Sequence, residues 1–385
     1  MVAYFAALGL ANGVWLARIP AVKQHLHLTD GVLGLALLSA PAGLVVVVLF
    51  VSRIVHRVGS RRPTIVAGTC AALVPIGLGL APSLPALMAA LFAFGLAGGI
   101  LDVAMNSQAV LVERGMRRPL MTSFHACYSF GGLAGALLGG LFAWARVGPA
   151  MNFAVVCIPL ACAAMAAGRW LVPDDGGNGA EQPAVAAQGR PRRLLQSWTP
   201  ALLVMALLAA CSLLGEGAAD GWSAVYLRDN LGAPAGLAAL AYAGFSVAMA
   251  VGRLSGDRLS MRFGAAVLMR WCGLIAAAGL AFGLLSRDPA AAIAGFTAFG
   301  AGLSCTFPLL LSAAGHAEPD RPAHGIARVA GFGYGGMLAG PVLIGGLATA
   351  LGLQRALTMP VLLALAIAVG AGVVGRGIAR SPGNR

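Results

Sequence analysis

The sequence predicts an all-α integral membrane protein, with twelve transmembrane helices in two pseudo-symmetric six-helix bundles. Three observations predict it. Of 385 residues, 59% are hydrophobic before the 54 glycines are counted, and 10% are charged. Soluble domains run near ~45–50% apolar with glycine included and ~25% charged. The apolar residues fall in blocks of about 20, the length that carries a helix across ~30 Å of hydrocarbon. The two halves of the chain also echo one another. The composition excludes a water-soluble enzyme, and the number of blocks makes the chain multi-pass.

Apolar runs bounded by Pro, Gly and charge place spans near 2–19, 31–51, 64–82, 86–110, 121–144, 150–171, 200–219, 234–252, 265–285, 290–311, 325–350 and 356–374. Pro63, Pro119, Pro149, Pro200, Pro234 and Pro289 stand at or just before block starts, where a missing N–H costs nothing. The first block begins at Met1 without a basic n-region, so a cleaved signal peptide is not expected. Pro20 is read as its end, which leaves it close to the shortest possible span and suggests a natural start a few codons upstream. Residues 173–198 are polar, Gly/Pro-rich and aperiodic, and read as a cytoplasmic linker between bundles 1–172 and 199–385.

Twelve spans put both termini on one side, and the basic residues choose it. Of 26 Lys and Arg, only Arg18, Lys23, Arg146, Arg228, Arg287 and Arg355 fall in one set of alternate gaps. The rest, among them Arg253 after span 8, lie in the other gaps and the C-terminal tail, so both termini are expected in the cytoplasm. The formal charge of +13 then faces an anionic inner leaflet. Nucleic-acid binding is not expected, because no aromatic residues interleave with the basic clusters. The seven cysteines lie inside apolar blocks without C-x-x-C pairing, and His25 and His27 read as a solvated loop, so neither metal nor cofactor is expected.

The repeat has a spacing near 205 residues. Arg57-Val58-Gly59 after span 2 matches Arg262-Phe263-Gly264 after span 8, and the glycine pairs 131–132 and 139–140 in span 5 match 335–336 and 345–346 in span 11. Asn12-Gly13 near Trp15 parallels Asp220-Gly221-Trp222. Gly131, Gly135 and Gly139 form a smooth strip on one helix face, as do Gly336 and Gly340. Such strips let backbones approach, whether for static packing or for sliding. Parallel six-span repeats meeting at a midplane site are a plan for alternating access.

Ionisable groups inside the spans mark function by default, since a carboxylate in hydrocarbon must be paired, neutral or facing water. Asp102 lies deep in span 4 with Asn106 one turn on, and Glu113 follows on the same face. That position suits a group that takes up and releases a proton; a structural hydrogen bond is the alternative. Glu216 and Asp220 share a face of span 7, towards its outer end, as second proton-handling candidates or as salt-bridge partners of Arg228. Side chains suited to a small polar solute are Asn12, Trp15, Asn106, His125, Tyr128, Trp222 and Phe307, with Tyr242 and Tyr334 as further aromatics; aromatics at helical spacing more often pack than touch a ligand, and Trp15 and His125 stand out among them.

Several phrases are similar to the major facilitator superfamily, and within it to the fucose-permease-like branch and its YbjJ-type inner-membrane proteins. They are Leu101-Asp102-Val103-Ala104-Met105-Asn106-Ser107-Gln108, Ser123-Phe124-His125 with Tyr128-Ser129-Phe130-Gly131-Gly132, Gly215-Glu216-Gly217 through Asp220-Gly221-Trp222-Ser223-Ala224-Val225-Tyr226-Leu227, and Gly252-Arg253 with Gly256-Asp257-Arg258. The resemblance implies a secondary transporter, often proton-driven, with spans 1, 4, 7 and 10 facing the cavity. It makes Asp102 the proton-coupling carboxylate, while Asn12 replaces the acid that such transporters carry on span 1. After span 2 the superfamily's gating pattern is matched at Arg57, Gly59, Arg61 and Arg62, with His56 in place of its acid; the acid survives in the second half as Asp257 beside Arg258. A carboxylate there can clamp a helix N-terminus, so the two clamps are expected to be unequal.

The expectation is therefore a monomeric carrier in a bacterial cytoplasmic membrane, with a small sugar-like or related polar solute and protons as partners, working by symport. Antiport export of drugs or amphipathic metabolites is the alternative. A membrane sensor would need an output domain and a membrane-embedded enzyme a clustered His/Asp set or a nucleophile with its base, and the sequence supplies neither.

Overall fold

The computed structural model describes residues 1–48, 50–116, 121–173, 198–318 and 322–374. The predicted linker, apart from its first and last residues, lies outside them. Among the described residues twelve helices are long and apolar enough to cross a membrane: Val2–His25, Asp30–Val47, Arg61–Leu80, Leu84–Ala109, Ser123–Trp144, Pro149–Trp170, Pro200–Asn230, Ala235–Gly256, Ala265–Ser286, Pro289–Ala317, Arg328–Leu351 and Leu353–Val374, called spans 1 to 12. No strand occurs among these residues. Their outward faces are apolar, as with Val66 at 63% exposure and Val369 at 84%, which suits a lipid solvent.

Pro20 does not end span 1. The helix runs through it to His25, and its last turn is anchored by Lys23, which pairs with both Asp30 and Asp229. Tertiary anchors outweigh a local breaker, since neighbouring groups in a membrane protein can supply what proline removes. Span 7 also outlasts its predicted end, closing in a π-turn at Tyr226–Asn230. Span 10 is interrupted between Pro289–Leu303 and Thr306–Ala317. There the hydroxyls of Ser304 and Thr306 donate back to the carbonyls of Ala301 and Leu303, and the Cys305 thiol donates to Gly252 O at 3.4 Å. Side chains that enter the helical ladder in this way bend helices.

Two compact units emerge. Unit 1 comprises Met1–Gln182 together with Ser223–Ser246; unit 2 comprises Pro183–Trp222 with Val247–Arg385. In unit 1, spans 1 and 5 meet backbone to backbone. A Cβ on Gly9 or Gly13 would run into the carbonyls of Tyr128 and Gly132, and one on Gly131 or Gly135 into those of Ala6 and Leu10. The predicted glycine strip of span 5 thus has a reciprocal strip on span 1. In unit 2, Gly336 of span 11 abuts Ala210 of span 7 in the same manner, with Gly340 beside Leu214.

Gln108 closes the other end of unit 1. Fully buried, it donates to Ser60 Oγ at 2.9 Å and Val172 O at 3.0 Å, and accepts from Val172 N at 3.1 Å. One amide thereby ties span 4 to the start of span 3 and the end of span 6, its polar atoms satisfied as burial requires.

Candidate functional site

The candidate solute- and proton-binding side chains Asn12, Asp102, Asn106, His125 and Tyr128 lie on spans 1, 4 and 5 of unit 1. Between Ala90 and Ala109 of span 4, Asp102 is exposed while every other described side chain is buried or half-buried. One turn earlier Gly98 faces Leu8 of span 1, while Gly95 and Gly99 abut Ala40 and Leu44 of span 2. The Asp102 carboxylate accepts from Asn106 Nδ2 at 3.1 Å, and that amide also donates to the Asp102 carbonyl at 2.8 Å. No cation pairs with Asp102 among the described residues. This arrangement leaves an open carboxylate held by one neutral donor, free to take up a proton or a hydroxyl-bearing ligand. The side chain of Glu113 lies outside the described residues.

Asn12 donates to the Tyr128 hydroxyl at 2.9 Å across the glycine-lined contact of spans 1 and 5. The Tyr242 hydroxyl, at the same level, lies 3.9 Å from where a Cβ on Gly132 would stand. His125 is exposed and edge-on to Phe5, with ring centroids 5.1 Å apart. Trp15 is placed differently from these: 3% exposed, it packs on Phe153.

Unit 2 brings together Glu216 and Arg253. The guanidinium donates to both carboxylate oxygens, at 3.2 and 3.3 Å, and Asp220, one turn further along span 7, lies within electrostatic reach of both. Three sequence expectations change here. Arg253 was assigned to the loop after span 8, yet it lies within that span and is the partner of Glu216. Arg228, the expected partner, instead donates to the Ala233 carbonyl at 3.0 Å. The reason is helical phase: Arg228 sits in the π-turn that closes span 7, twelve residues beyond Glu216, whereas Arg253 approaches from the neighbouring helix. Nor do the two acids stand at the end of the helix, since span 7 continues to Asn230. Trp222 is fully buried. Phe307 and Tyr334 stack edge-on at 6.2 Å.

Of the gating candidates, Arg61 donates to Gly168 O at 3.4 Å, while Arg57 and Arg258 are exposed. The side chains of Asp257 and His56 lie outside the described residues. The sequence assigned no structural or site role to Gln108 or Arg253. The signal for each was a polar side chain at or just inside a span boundary, which a hydropathy window averages away.

The family model of the Major Facilitator Superfamily matches residues 1–215 and again 205–383. The chain belongs to that superfamily. The matches cover nearly the whole chain, and the twelve helices are its fold. A major facilitator relative in Yersinia pestis, an uncharacterized MFS-type transporter, is 33% identical over 97% of this chain and 94% of its own length. The uncharacterized transporter y4wD of Sinorhizobium fredii is 36% identical over 89% of this chain and 88% of its own. Among solved structures, a nucleoside transporter, NupG in its D323A form, superposes with a TM-score of 0.74 at 14% identity, over 98% of both chains. A D-xylose-proton symporter does so with a TM-score of 0.71 at 15% identity, over 96% of this chain and 95% of its own. At those identities the two structures speak for the fold alone.

Proposed function

We propose that this transporter moves a small polar solute, sugar-like or related, by proton-coupled symport, and that it belongs to the fucose-permease-like, YbjJ-type branch. The observation that carries the reading is Asp102: an open carboxylate in mid-span, held by Asn106 and, among the described residues, by no cation. A proton on Asp102 lets it donate to a solute hydroxyl as well as accept from one, and neutralising it lowers the cost of moving it through hydrocarbon. Solute contacts come from Asn106, His125, Tyr128 and Asn12. Glu216, Asp220 and Arg253 form a second charged cluster, in which the arginine neutralises one acid and leaves the other for a proton or a solute.

Rocking of the bundles 1–172 and 199–385 gives alternating access, with Arg57, Arg61, Asp257 and Arg258 gating on the cytoplasmic side, where both termini lie. The location is a bacterial cytoplasmic membrane and the working unit a monomer. The test is proton movement in vesicles carrying purified protein, screened against sugars, polyols and nucleosides. One solute should drive proton entry, and Asp102→Asn should abolish that entry while leaving solute exchange measurable. Gradient-driven accumulation that survives in Asp102→Asn overturns the coupling scheme.

A further inference from the structure

At the His25 end of unit 1 lies a cavity of about 40 Å³, lined by Ala17, Arg18, Pro20, Gln24, Ala143 and Arg228 among others. It is far below the ~300–1,000 Å³ of a metabolite pocket. A few water-sized positions fit. Its charge is the unusual feature. Arg18 is 3% exposed, one of its terminal nitrogens donates to Val147 O at 2.5 Å, and its Nε has no partner. Arg228 donates to Ala233 O. Neither guanidinium pairs with a carboxylate among the described residues, and no acid lines the cavity.

The nearest acids are committed elsewhere. Asp30 and Asp229 both pair with Lys23, and Asp229 also accepts from Gln24 at 3.4 Å. Lys23 thus takes up both anions, and the charge of Arg18 and Arg228 is left without a carboxylate partner among the described residues. A buried cation without a counter-charge is costly, and proteins resolve that cost by pairing it.

We propose that this cavity binds a small monovalent anion of chloride size between Arg18 and Arg228. Two arginines lining one cavity give it charge-assisted donors, and the volume excludes a solute or a phosphodiester. The ion completes the charge balance and joins span 1, span 5 at Ala143 and the 228–235 segment, so it favours the arrangement in which these three are packed. The site is independent of solute identity and of proton coupling on Asp102.

The test uses the purified full-length protein in detergent, with thermal unfolding followed by tryptophan fluorescence. Chloride is titrated against gluconate at constant ionic strength and pH. Tm should rise saturably with chloride and with bromide, but not with gluconate. Arg228→Gln should raise the half-saturating chloride concentration at least ten-fold, and Ala143→Leu, which fills the cavity, should remove the response. These two variants keep the test decisive if Arg18→Gln fails to fold. Equal Tm in chloride and gluconate overturns the proposal, as does a chloride response unchanged in both variants. A response to added anionic phospholipid that chloride does not compete away also overturns it, by assigning the charge to a lipid headgroup.

Discussion

Arg253, from the neighbouring helix, donates to both carboxylate oxygens of Glu216 and leaves Asp220 one turn away with no hydrogen bond of its own among the described contacts. The pair is partly open, with side chains 40% and 22% exposed, so its direct worth is that of a screened ion pair, up to ~1 kcal/mol. Its larger role is to offset two like charges on one helix face. Glu216→Gln should therefore change stability little. Arg253→Gln should cost more, because it leaves Glu216 and Asp220 facing each other, and adding Glu216→Gln to it should recover most of the loss. Thermal unfolding of the two single variants and the double variant checks this; additive losses would contradict it.

Gln108→Leu removes three hydrogen bonds from a fully buried position, one to Ser60 Oγ and two with the backbone of Val172. Each hydrogen bond lost there costs ~0.5–1.5 kcal/mol. The expected loss is several kcal/mol in a reversible unfolding titration, far more than for a lipid-facing control such as Leu285→Ala.

The contact of spans 1 and 5 has no room for a methyl group. Gly13→Ala should lower Tm by several degrees or prevent folding, since the new Cβ meets the Gly132 carbonyl, whereas Gly115→Ala, with nothing within 4 Å, should be neutral. Size-exclusion profiles and Tm of the two variants provide the comparison. Equal behaviour would mean that the helices separate easily.

Lys23 holds Asp30 and Asp229 together. Lys23→Gln leaves those carboxylates repelling one another, and the 223–246 segment should loosen from span 1. A cysteine placed at Ala233, which is 2% exposed, should then react with a maleimide at least several-fold faster than it does with Lys23 present, and the difference should shrink at high salt as the repulsion is screened.

Composition and hydropathy alone were enough for the class of the protein and its twelve crossings, because in a bilayer every span must satisfy its own backbone and therefore announces itself by length and apolarity. The glycine strip of span 5 was equally legible, since a four-residue spacing puts small residues on one face whatever packs there. Which surface that strip meets, the continuation of span 1 past Pro20, and the choice of Arg253 over Arg228 as partner of Glu216 were decided by tertiary structure. Each depends on groups far apart in sequence being brought to one depth and one helical phase, and local sequence carries no record of that distance.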